Sequence, residues 1–148
     1  MAYFNNSEPF PFRQYNYLYR PSVILKQMDI IFAFRHDWRS WSIDDISVND
    51  TTNNQPILID GGFESNYLTK NYRRCVLSDT RSSSGDILFD NPHNGDFYYN
   101  DQTVVGTSFL IQTLNIVGGR YYNITFFLEN RGNPDNAFAL LIGYVKKK

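Results

Sequence analysis

The stretch WSIDDISV, from Trp41 to Val48, decides the fold. Its apolar residues do not keep one parity. Trp41 and Ile43 fall on one side, Ile46 and Val48 on the other, and the slip comes at Asp44-Asp45. Successive side chains of a strand point to opposite faces, so an unbroken strand would send half of these residues into water. A one-residue bulge at the two aspartates returns both apolar rows to the core. It also turns at least one carboxylate inward, where it must be paired, protonated or bound to a metal.

The same period of two recurs along the chain. In MDIIFAFR, Ile30, Phe32 and Phe34 share a face. In SFLIQTLNIV, Leu110, Gln112, Leu114 and Ile116 do so, and in RYYNITFFLEN the inward row is Tyr122, Ile124, Phe126 and Leu128. In NAFALLIGYV it is Phe138, Leu140, Ile142 and Tyr144. Alternation with one apolar face predicts antiparallel strands packed on a core. No long segment carries helical spacing. Gly118-Gly119 reads as a hairpin turn, and SDTRSSSGD (78–86), DNPHNGD (90–96) and RGNPDN (131–136) read as polar loops. Short strands with such punctuation predict an all-β sandwich or barrel. The segment 49–56, NDTTNNQP, is the best linker candidate within a single domain spanning 1–148.

Composition agrees. Of 148 residues, 17% are aromatic, with 11 Tyr, 12 Phe and 2 Trp, which suits pleated, half-buried surfaces. The net charge of −1 gives no footprint for nucleic acid. The one basic run, Lys146 to Lys148, reads as a solvated tail. No apolar window is long enough for membrane insertion as a helix, and the first residues lack the pattern of a signal peptide. Cys75 is alone, so no intrachain disulfide forms, and it is expected to be a small core residue.

Two acidic motifs carry the candidate chemistry. Asp44 and Asp45 lie at the slip, and Glu64 follows two glycines in GGFE. Carboxylates with free loop carbonyls are the hard oxygen ligands that calcium prefers. The competing reading is local hydrogen bonding in turns. A pair of carboxylates can also serve glycosidic hydrolysis, but no nucleophile triad, phosphate loop or metal-spaced His/Cys set accompanies them, so the chain is read as not an enzyme.

With these motifs in place the chain resembles a known family. IDGGFESNYLTKNY (59–72), GDFYYNDQ (95–102) and the run from Ser108 to Gly143 look like the first two-thirds of a galactose-binding-like jelly roll of the carbohydrate-binding-module type. FRQYNYLYRP (12–21) and the run from Met28 to Val48 resemble that family's closing strands. Residues 1–48 would then be closing strands, 49–56 a linker, and 57–148 the opening and middle strands. The order is that of a circular permutation, or of a piece cut across two tandem repeats. The resemblance implies a structural calcium held by the side chains of Glu64 and Asp45, with Asp44 as a second candidate and backbone carbonyls near Asp60 and Gly62. Tyr72 stands where the family often has Trp, and Asp60 where it often has Asn; the added charge of Asp60 would either strengthen metal binding or mark an altered geometry. The resemblance also implies an extracellular setting.

The expected function is non-catalytic carbohydrate binding, with a glycan or polysaccharide as partner. The alternative is a structural or adhesive protein-interaction repeat without a sugar site. A monomer is favoured over a strand-swapped dimer. The ligand-binding candidates are Trp38 and Arg39 in the HDWRSW turn, Asn130 and Arg131 at a strand end, and Tyr98. Tyr98, Tyr99, Tyr121 and Phe127 are counted among rings off the inward rows. Flat rings stack on sugars, and guanidinium and amide groups bond hydroxyls.

Overall fold

In the computed structural model, which describes residues 2–144, the alternating segments are strands. They are β1 (Tyr3–Asn5), β2 (Phe10–Tyr19), β3 (Gln27–His36), β4 (Trp41–Asp50), β5 (Gln55–Pro56), β6 (Arg73–Val76), β7 (Ser82–Leu88), β8 (Tyr98–Val104), β9 (Ser108–Asn115), β10 (Tyr122–Asn130) and β11 (Asn136–Gly143). A single turn of helix, α1 (Leu68–Asn71), precedes β6. Two antiparallel sheets pack face to face as a β-sandwich. One runs β1-β11-β3-β9-β6, the other β2-β10-β4-β8-β7, with β5 paired to β4. No helix among the described residues is long and apolar enough to cross a membrane. The Lys146–Lys148 run lies outside the described residues.

The inward rows hold. Ile30, Phe32, Phe34, Leu110, Gln112, Leu114, Ile116, Tyr122, Ile124, Phe126, Leu128, Phe138 and Leu140 are buried between the sheets. Fully burying each large apolar side chain stabilises the fold by roughly 1.5–3 kcal/mol. Around Trp41 the rings of Phe10 and Phe138 stand 6.0 and 5.6 Å away in tilted contact. Its indole N–H donates to the Arg35 carbonyl at 2.9 Å, which removes the cost of burying a polar atom there. Tyr144, expected on the inward row of β11, is exposed beyond the end of the strand.

The bulge in β4 is present. Against β10, Thr125 opposes Ser47 while Phe127 opposes Asp44, so β4 carries one extra residue. Asp45 takes it up with φ of +48°, a left-handed conformation that Asp tolerates better than most residues. Trp41, Ile43, Ile46 and Val48 are consequently all buried, and Asp44 is buried with them.

Three local expectations change. Gly118-Gly119 does not join a hairpin, because β9 lies in one sheet and β10 in the other. Apart from the β4–β5 and β7–β8 hairpins, every consecutive pair of described strands switches sheets. The 49–56 stretch is itself a tight hairpin, with Asn49 opposite Pro56 and Asp50 opposite Gln55. Cys75 is exposed rather than in the core, because β6 is an edge strand whose inward residue is Arg74. Tyr98 and Tyr99 are both buried, since β8 turns one toward the core and the other under an Arg from the neighbouring loop.

Candidate functional site

Two clusters deserve a chemical reading. The first is the seam between the β4 bulge and the loop that follows β5. The chain after Pro56 runs back along β4. The Ile57 N–H donates to Val48 O at 2.8 Å and the Ile46 N–H to Gly61 O at 2.9 Å. Position 61 must be glycine, because a Cβ there would lie 1.7 Å from Ile46 O. Asp45 and Glu64 therefore both lie beside Gly62. A point one Cβ out from Gly62 is 3.7 Å from Asp45 Oδ1 and 4.0 Å from Glu64 Oε1.

The carboxylates of the seam are already engaged. Asp44 Oδ1 accepts from the Asp45 N–H at 2.7 Å, and its Oδ2 from the N–H groups of His93 and Asn94 at 2.9 and 3.3 Å. Burial pushes the Asp44 carboxyl up to about 6, against the opposing pull of those three N–H donors. Asp45 Oδ2 is 2.7 Å from Nδ1 of His93, whose ring stacks on Phe127 at 3.5 Å between centroids. Glu64 Oε1 accepts from the N–H groups of Asp96 and Phe97 at 3.0 and 3.2 Å. The Asp60 carboxylate accepts from the Ser65 N–H at 3.1 Å and from the Ser65 hydroxyl, closing its own turn.

The seam carboxylates are held by hydrogen bonds, which a calcium ion there would have to displace. Calcium takes six to eight oxygens. Here the neighbouring groups are mostly N–H donors, and among the described residues no group of three or more His, Cys, Asp or Glu is placed to hold a metal. Asp44, Asp45, Glu64, Asp60 and Gly62 are brought to one seam, but hydrogen bonds and an imidazole hold it together. His93 was not legible as a seam residue, since a lone His in a polar loop carries no spacing signal.

The second cluster lies at the end of the sandwich where the β3–β4 turn meets the β10–β11 loop. Pro9, Trp38, Arg39, Arg131, Gly132 and Asn133 line a cleft of about 400 Å³. This is within the range of roughly 300–1,000 Å³ usual for small-molecule sites. Trp38 is 68% exposed at its rim, yet its indole N–H is fixed on Asp135 Oδ2 at 3.2 Å. Position 132 requires glycine, because a Cβ there would sit 2.5 Å from both Cβ and Cγ of Arg39.

The floor of the cleft is a buried polar network. His36 Nδ1 accepts from the Arg39 N–H at 3.0 Å, so its proton is on Nε2, which donates to Asn130 Oδ1 at 2.9 Å. Burial lowers the pKa of His36, favouring this neutral ring. The same Asn130 oxygen accepts from the Gly132 N–H at 3.2 Å, and the Asn130 amide donates to the carbonyls of Ser7 and Glu8 at 2.9 and 3.1 Å. Asn130 is thus a strut beneath the cleft. Arg131 bonds Glu129 Oε2 at 2.6 Å, and its guanidinium lies 4.9 Å over the Tyr98 ring. Of the five expected ligand residues, Trp38, Arg39 and Arg131 line the cleft, while Asn130 and Tyr98 support it from behind.

A third cluster is wholly internal. Buried Asp101 accepts from the hydroxyls of Tyr99, Thr103 and Ser108 at 2.8, 2.6 and 2.8 Å, with Arg74 Nη2 at 3.5 Å. It ties the edge strand β6 to β8 and β9, a structural role. No family model matches this chain, and neither does any curated protein or solved structure.

Proposed function

We propose that the protein is a non-catalytic carbohydrate-binding module of galactose-binding-like jelly-roll type, taking a saccharide in the Trp38–Arg39 cleft. The observation that carries the reading is Trp38 itself: a large ring left in water, yet held in place through its indole N–H. A sugar's C–H face stacks on such a ring at little entropic cost. Arg39 and Asn133 line the cleft beside it as polar residues for hydroxyls, and Arg131 forms a wall. The circular order of strands is part of the same reading. It is supported by the tight β4–β5 hairpin and by the bonds that lay residues 57–61 along β4, where a family member's two termini would adjoin.

A glycan array followed by polysaccharide pull-down tests this. Trp38→Ala should weaken the best ligand by about thirtyfold, the roughly 2 kcal/mol of a buried aromatic anchor, with the melting temperature unchanged. Absence of any saccharide ligand would favour the adhesive-repeat reading instead.

A further inference from the structure

The cleft has a charge as well as a shape. Its lining includes two arginines, Arg39 and Arg131, and no Asp or Glu among the described residues. The nearby acids are occupied elsewhere. Asp37 is paired with Arg35 at 2.8 Å and accepts the Val105 N–H at 3.0 Å. Asp135 holds the Trp38 indole, and Glu129 neutralises Arg131. Arg39 is left over. Its side chain is engaged by no carboxylate among the described residues, while its stem is confined against Gly132 and its backbone N–H is fastened to His36. An anchored arginine beside an exposed indole forms a two-part receptor: a ring for a sugar face, and a planar fork for a carboxylate. The chain as a whole carries −1, so general cationic attraction would not draw an anion to Arg39.

We infer that the saccharide taken by this cleft is acidic: a uronic-acid residue whose ring stacks on Trp38 and whose carboxylate pairs with Arg39. This rests on the reading of the cleft as a saccharide site. Arg131 plays a different part, since its charge is satisfied by Glu129 and the Tyr98 ring, and it serves as a wall.

The test uses the full chain in affinity electrophoresis and calorimetry. The probes are polygalacturonate, the same polymer with its carboxyls reduced to alcohols, and dextran sulfate. At physiological salt the acidic polymer should bind about tenfold more tightly than its reduced form, the strength of one charge-assisted bidentate pair. Arg39→Gln should bring that ratio to about one with an unchanged melting curve, and Arg39→Lys should restore part of it. If the reduced polymer binds as well as the acid, the inference falls and the saccharide reading stands. If dextran sulfate binds as tightly as polygalacturonate, charge alone is at work and the inference also falls. If neither polygalacturonate nor its reduced form binds, the inference falls, and the glycan array alone decides the saccharide reading.

Discussion

Asp45 offers the sharpest test of the bulge, because replacing it by Gly and by Val sets backbone geometry against ordinary strand preference. Both substitutions remove the carboxylate and its contact with His93, so that loss cancels in the comparison. Residue 45 has φ of +48°. Glycine adopts this region freely, whereas an L residue is disfavoured there by about 1–2 kcal/mol, and a β-branched one is a steric outlier. In a regular strand the order is opposite, with Val preferred over Gly by up to about 1 kcal/mol. The bulge therefore predicts a reversal: Asp45→Gly more stable than Asp45→Val by about 2 kcal/mol. For a chain of this size that is about 4–8 °C in Tm. Urea unfolding followed by tryptophan fluorescence reads both variants through buried Trp41. Asp45→Val equal to or more stable than Asp45→Gly would refute the bulge, and with it the account of why Trp41, Ile43, Ile46 and Val48 are buried together.

Asp44 gives a pH signature. Its carboxyl is held at about 6 by burial, above the roughly 3.9 of an unfolded chain. The native state thus keeps a proton that the unfolded state has released. The resulting stability is fully present below about pH 4 and is lost as pH rises to about 6, by up to about 3 kcal/mol. Urea midpoints across that window should show this fall in the wild type and not in Asp44→Asn; the same slope in both would refute the assignment. Asp101→Ala leaves Arg74 and three hydroxyls without their acceptor and should cost about 3–5 kcal/mol in chemical denaturation. A loss under about 1 kcal/mol would show the network to be dispensable. Because the seam carboxylates are bonded from within the chain, EDTA should leave Tm unchanged. A rise of several degrees in millimolar calcium would show that the seam opens to take an ion.

Much of this fold is written in residue parity. A strand exposes its two faces alternately, so Ile30, Phe32, Phe34, Tyr122, Ile124, Phe126 and Leu128 declare which side is buried before any partner is known. The break in that parity at Asp44-Asp45 likewise declares the bulge, because only an extra residue buries both halves of WSIDDISV. The convergence of Trp38, Arg39 and Arg131 was legible only as a set of polar and aromatic residues at turns and strand ends. Parity says nothing about which strand lies beside which. Gly118-Gly119 has hairpin chemistry, yet β3 and β4 from the other end of the chain take the places between the later strands, and the segment crosses sheets instead. The engagement of His93 with Asp45 and of Glu64 with the Asp96 and Phe97 N–H groups was likewise settled by tertiary structure. These groups are distant in sequence, and their hydrogen bonds exist only once the loops have been brought together. Local pattern fixes burial because burial depends on one chain direction; pairing and site chemistry depend on two segments at once, and only the folded arrangement supplies the second.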